Sequence, residues 1–256
     1  GMLFEKPSLR TRVTFETGIF HLGGYGVFME PRLGERETVP DIARNLERWV
    51  DAIVARTHSH ESVLELASYA SIPVINTLTD ALHPCQVKAD AMTLIERRGS
   101  LDDVHVAFVG DGNNVFASWA NLARRIPIRL TLVCPPGYEL TGPVHEAAVK
   151  ECGDRYSVTN DTAKGLGGAN AVYTDVWASM GQEAESTKRR KAFRPYQVNR
   201  ELMALADKDA LFMHCLPAHR GEEVSEDVIE SAHSIVFDQA ENRLHVQKAI
   251  LLKLMA

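Results

Sequence analysis

At 256 residues with 45% hydrophobic content, the chain is long enough to bury one large core or two smaller ones. Its net charge of −6 and pI near 5.9 give no general attraction to nucleic acid or to an anionic membrane, and no apolar run approaches the length of a membrane helix. The start carries no signal-peptide pattern, and Cys85, Cys134, Cys152 and Cys215 form no C-x-x-C pair, so a cytoplasmic protein without a disulfide framework, zinc knuckle or metal is expected.

Gly1 is not an encoded start, and Met2–Phe4 reads as the tail of a strand whose beginning is absent. Residues 4–12, FEKPSLRTR, break at Pro7 into a hydroxyl and arginine cluster. A helical pattern follows, so Ser8, Arg10 and Thr11 fall in the turn and first helical turn, where free N–H groups favour an anion. The plainer reading is an N-cap with solvated arginines. GYGVFME predicts a strand, PRLGERET a polar loop and VPDIARNLERWV an amphipathic helix. The buried strand VDAIVAR delivers Arg56 and Thr57 to its end; the His58-Ser-His60-Glu61 run that follows lacks a fuller set of metal-ligand spacings. SVLELASYAS reads as a helix, IPVINT as a strand and the stretch from Pro84 to Arg98 as a long helix closed by Gly99.

VHVAFVG opens a second alternating series, which places a domain boundary at Gly99. GDGNN follows as a glycine turn resembling half of a dinucleotide fingerprint, but the third glycine is missing and the next strand ends at Cys134 instead of an acid, which disfavours NAD. Asn113 and Asn114 are either turn formers or polar contacts. Further strands are predicted in RLTLVC, YSVTND and AVYTDV, the last bringing Asp175 and Ser179 beyond its end. QEAESTKRRKAFRPYQVN is strongly charged and reads as a solvated loop or helix face, or a lid. After a helix in ELMALADKDA, the apolar strand before HCLPAHRG ends in polar and reactive groups, and helix, strand and a final helix complete the chain.

Six motifs now stand in order: FEKPSLRTR, HPCQ, FVGDGNNV, TDVWASMGQE, HCLPAHRGEE and FDQAENRLH. Through them the chain resembles the ornithine carbamoyltransferases of the aspartate/ornithine transcarbamylase family over essentially its whole length. The resemblance implies an α/β fold of two domains, each a parallel β-sheet flanked by helices, with active sites at the interfaces of a homotrimer. Residues 1–99 with the final helix, 239–256, would bind carbamoyl phosphate, and residues 100–238 ornithine.

On that pattern Ser8, the Leu9 backbone, Arg10 and Thr11 hold the phosphate, and Arg56 bridges phosphate and carbonyl oxygens. His83 donates to the carbonyl, while Gln86 and the Leu216 carbonyl accept from the carbamoyl amide; Arg243 lines the site. Asn114 and the Met180 backbone take the α-carboxylate of ornithine, Asp175 and Ser179 its α-amino group, and Cys215 sits beside the side-chain amine. Arg56, His83, Cys215 and Asp175 are the implied catalytic set, with no cofactor. Asp175, Cys215 or the departing phosphate takes the amine's proton. Each residue also has a plain structural reading: Cys215 as a small buried apolar group, Asp175 as a helix cap, and His214, His219 and Cys85 as loop-shaping residues.

The chain departs from the family pattern at three places. Leu9 stands where threonine is usual, at a contact made by backbone. The loop Pro31–Gly34 lacks a glutamine that a neighbouring subunit usually inserts, leaving Arg32 or Arg36 as substitutes. An N-terminal helix and most of a strand expected before Phe4 are not present. The rivals are a transcarbamylase for N-acetylornithine, putrescine or aspartate, a truncated non-catalytic paralogue that only binds ligand, and, more distantly, a dinucleotide enzyme.

Overall fold

The computed structural model describes residues 1–178 and 185–255. It divides into two compact units, Gly1–Ala89 with Glu241–Ala256 and Asp90–Ala240. In the first unit, strands β1 (Met2–Phe4), β2 (Phe28–Met29), β3 (Ile53–Arg56) and β4 (Val74–Leu78) form a parallel sheet in the order β2-β1-β3-β4. The helices between them are α1 (Leu9–His21), α2 (Val39–Leu46) and α3 (His60–Tyr69), and α4 (Pro84–Arg98) follows. Successive residues of a strand point to opposite faces, and both faces here are covered. Leu3, Ile53 and Ala55 pack with Ala43, Leu46, Val63 and Leu66 from α2 and α3. Met2, Phe4, Val54 and Ile75 pack on the other side with Phe15, Cys85 and Leu251. The strand expected in GYGVFME is only two residues long.

The second unit holds β5 (His105–Val109), α5 (Asn114–Ala123), β6 (Arg129–Val133), α6 (Pro143–Cys152), β7 (Tyr156–Thr159), α7 (Thr162–Leu166) and β8 (Ala171–Thr174). After them come α8 (Ser186–Phe193), α9 (Arg200–Met203), β9 (Leu211–His214), α10 (Glu226–Ile229) and α11 (Val236–Met255). Its sheet is parallel in the order β7-β6-β5-β8-β9. One face packs Ala107, Val109, Val172 and Phe212 against Leu166, Leu202, Val228 and Ile229. On the other, Phe108 stacks on Tyr173 at 5.2 Å between centroids and meets Phe116 edge-on at 5.4 Å.

Two expectations fail here. The strand predicted between the last two helices is absent: Ser234 makes a single bridge to Phe212, and α11 has begun by Val236. Two backbone hydrogen bonds to Phe212 flank that bridge, and the helix takes over the residues that follow. The charged stretch is not simply a solvated face, because α8 buries Arg189 and Phe193. Among the described residues no helix is long and apolar enough to cross a membrane.

Candidate active site

In open parallel sheets, ligands sit beyond the carboxyl ends of the strands where the strand order reverses. The first unit reverses between β1 and β3, and the second between β5 and β8. The described candidate residues lie at or near these two points.

At the first reversal, Ser8 caps α1 with its side chain accepting from Thr11 N at 3.3 Å. The exposed Leu9 and half-buried Arg10 follow in the first turn. Thr11 is fully buried, and its hydroxyl accepts a hydrogen bond from Arg243 Nη2 at 2.6 Å, so α11 fastens the first turn of α1 from behind. Glu5 holds the turn from the other side. Its carboxylate accepts from Leu33 N and His58 N, both at 2.9 Å, while its own N–H donates to Arg56 O. Arg56 ends β3, where the register with β4 shifts, and is 6% exposed.

His83 and Gln86 are buried beside these groups, at the start of α4. Burial, then the charges of Arg243 and Arg56, hold His83 well below the ordinary histidine value, against a hydrogen bond to the Thr77 backbone. His83 is therefore neutral at working pH. Lys6 is likewise lowered by burial and by Arg56, with Asp80 and Glu5 opposing. Burial is the main cause for both side chains, and the neighbouring arginine charges add to it in the same direction. Cys85 is structural: its thiol donates to Asn76 O at 3.4 Å and burial raises its pKa to about 11.

At the second reversal, Asp175 follows β8 and is buried. Its Oδ2 accepts from Asn113 Nδ2 at 2.7 Å and its Oδ1 from the Cys215 thiol at 3.0 Å. Asn113 also caps α5, accepting from Val115 N and Phe116 N, and Asn114 is the first residue of that helix. The glycine turn before them serves packing: a Cβ on Gly112 would stand 2.2 Å from Leu140 N, so only glycine fits. After β9, His214 Nδ1 accepts from Leu216 N at 2.8 Å, which turns Nε2 toward the buried Glu223 at 3.2 Å. Glu223 also takes the His219 N–H, and Gln239 takes the His214 N–H while donating to Asp90. This buried network holds the loop that carries Cys215 and Leu216.

Ser179 and Met180 lie outside the described residues. Arg32 and Arg36 line a cavity of about 690 Å³ with Leu3, Met29, Ile42 and Trp49, which none of the expected substrate residues enters. Among the described residues, His58 and His60 belong to no group able to hold a metal; His60 Nδ1 pairs with Thr79 Oγ1 at 3.1 Å. Asp175, His214 and Cys215 do lie close enough together, but both His214 ring nitrogens are already engaged. Glu5, Asp111, Arg189 and Glu223 were not singled out from sequence. Glu5, Asp111 and Glu223 stand inside the quoted motifs and Arg189 in the charged stretch, with no local pattern that names their partners.

The first unit's reversal point thus carries cations around a helix N-terminus, chemistry suited to an anion, and the second unit's carries a carboxylate, a thiol and amides, chemistry suited to an amino group. Residues 1–96 match the carbamoyl-P binding domain, and residues 102–254 the Asp/Orn binding domain, of aspartate/ornithine carbamoyltransferase. An ornithine carbamoyltransferase of Syntrophus aciditrophicus is 51% identical, covering 98% of this chain and 84% of its own. One from Pyrococcus furiosus, named as anabolic, is 50% identical over 100% of this chain and 83% of its own. The solved ornithine carbamoyltransferase of Pyrococcus furiosus superposes with a TM-score of 0.95 at 49% identity, covering 99% of this chain and 83% of that one. The chain belongs to the aspartate/ornithine carbamoyltransferase family.

Proposed function

We propose that this protein transfers the carbamoyl group of carbamoyl phosphate to the side-chain amine of L-ornithine, releasing L-citrulline and phosphate. In this reading residues 1–99 with 239–256 form the carbamoyl phosphate domain and 100–238 the ornithine domain. The observation that carries it is the buried Asp175, which accepts from Asn113 and Cys215 at the second reversal point and offers a fixed carboxylate to a free α-amino group. N-acetylornithine lacks the charge that this carboxylate would pair with, and putrescine lacks the α-carboxylate that Asn114 would take.

Phosphate binds at the α1 N-terminus through Ser8, the Leu9 N–H, Arg10 and Thr11. Arg56 reaches both phosphate and carbonyl oxygens, with Arg243 holding Thr11 in place. Neutral His83 donates to the carbonyl oxygen as negative charge develops there, the kind of fixed donor that lowers a barrier without reorganisation. Gln86 and the Leu216 carbonyl accept from the carbamoyl N–H groups. Ornithine is held by Asn114, Asp175, Ser179 and the Met180 backbone, with Cys215 beside its side-chain nitrogen. That nitrogen, unprotonated, attacks the carbamoyl carbon, a C–N bond forms, the C–O bond to phosphate breaks, and the proton that the nitrogen sheds passes to the departing phosphate, Asp175 or Cys215. We further propose a homotrimer acting in the cytoplasm in arginine biosynthesis, a direction supported by the relative named as anabolic.

The test is a citrulline assay with ornithine, N-acetylornithine and putrescine compared at equal concentration. Ornithine turnover well above the other two is expected; preference for another amine overturns the acceptor assignment. Binding of a bisubstrate phosphonate without any turnover would establish the non-catalytic alternative.

A further inference from the structure

We propose that Arg189, in the charged helix α8, is a positioning residue for the acceptor half-site, holding the Asp111 turn and the Trp177 backbone so that Asn113, Asn114 and Asp175 keep their places. This rests on the functional reading above.

Arg189 is 5% exposed, although Lys188, Arg190 and Lys191 around it face solvent. A buried guanidinium is tolerated only when its donors are engaged, and here they are. Nη2 pairs with the Asp111 carboxylate, Nε donates to Trp177 O at 2.6 Å, and the guanidinium lies 5.0 Å from the Tyr138 ring and 5.7 Å from that of Phe193. Tyr138 in turn accepts from Gly112 N at 2.9 Å. The contacts close a circuit. Asp175 reaches Asn113 by its side chain, Asn113 reaches Asp111 along the chain, Asp111 reaches Arg189, and Arg189 returns through Trp177 to Asp175.

Charge balance follows the same path. Burial raises the Asp111 pKa, the Arg189 charge and hydrogen bond pull it back, and the Asp175 charge raises it, so the two carboxylates sense each other. Without the guanidinium, Asp111 would stand uncompensated next to the carboxylate that receives the acceptor's ammonium group. None of these contacts touches a donor-phosphate residue of the first unit's reversal point, so the effect should fall on one substrate.

Arg189→Met and Arg189→Lys are compared with wild type by steady-state kinetics in both substrates, with far-UV circular dichroism reporting the fold. Lysine keeps the charge but cannot make the two forked contacts at once. The expected result is an ornithine KM raised about tenfold or more in each variant, with the carbamoyl phosphate KM changed by less than about twofold. Adding Asp111→Asn to Arg189→Met removes the stranded carboxylate and should recover part of that loss. If neither arginine variant folds, Asp111→Asn alone carries the same expectation. An unchanged ornithine KM in a folded variant overturns the inference, as does a parallel rise in both KM values, which a merely structural role would produce. A wild type that makes no citrulline overturns the functional reading and this inference together; loss of the inference alone requires an active wild type.

Discussion

Asp175 makes two different kinds of contact in one buried carboxylate, and in the proposed reading the acceptor's α-amino group depends on both oxygens staying aimed. Asp175→Asn keeps the shape but replaces one acceptor with a donor, facing the Asn113 amide and the Cys215 thiol. Losing a hydrogen bond to a charged group costs about 1.5–3 kcal/mol, so ornithine kcat/KM should fall roughly ten- to a hundredfold or more, as measured by initial rates. Gly112 is the residue at which the backbone has least room. Gly112→Ala would press a methyl group against Leu140 N and Glu139 C, at 2.2 and 2.7 Å, so the turn must open. Overpacking of this kind costs about 1–3 kcal/mol, and a melting temperature lower by several degrees with weaker ornithine binding is expected in thermal denaturation and kinetics. The rate should also climb with pH in wild type, because an amine with an ordinary pKa of about 10 must lose its proton before attack. His83 adds no limb of its own to that profile, being neutral throughout.

Helix α1 is held at three points: the Ser8 cap, the Arg243 bond to Thr11, and Phe15, which is fully buried against β1 and β3. The cap starts the helix and engages Thr11 N, while in the proposed reading the remaining first-turn N–H groups and the Ser8 hydroxyl face the phosphate, so stability and phosphate affinity would share one side chain. Ser8→Ala should cost about 1 kcal/mol of stability by denaturant titration and raise the carbamoyl phosphate KM while leaving the ornithine KM unchanged. Helix α8 shows the opposite relation between pattern and place. Its composition reads as solvent-facing, yet one arginine of the run is inside, because Asp111 and the Trp177 carbonyl supply partners that no local pattern reveals. The loop after β9 is likewise held by a residue nine positions from His214, Glu223, through a buried pair.

Among the described residues, His83 and His105 are buried with lowered pKa values. Burial and Arg129 lower His105 to about 4, and His83 lies well below its ordinary value. Their folded pKa values are below the unfolded value of about 6.5, so the unfolded chain binds the protons first and stability is full only above that pH. Stability should decline as pH falls from about 6.5 toward 4, by up to about 3 kcal/mol for His105, which denaturant titrations at stepped pH would measure. In His105→Gln, which can keep the bond to Thr131 Oγ1 at 2.8 Å, that decline should be shallower.

The order of motifs carried the family, and apolar runs ending in polar clusters carried both parallel sheets, because strands buried on two faces need continuous hydrophobic stretches. Ser8, Arg56, His83 and Asp175 drew notice in the sequence because each stands where a strand or loop hands the chain to a helix, while their roles came from the family resemblance. What sequence alone could not decide was which polar groups pair in the interior. Glu5 with His58, Arg243 with Thr11, Asn113 with Asp175 and Arg189 with Asp111 are brought together only by the order of strands in each sheet. Local pattern records which residues seek burial or water, but the partner that makes a buried charge tolerable comes from a distant part of the chain, so only the tertiary structure identifies it.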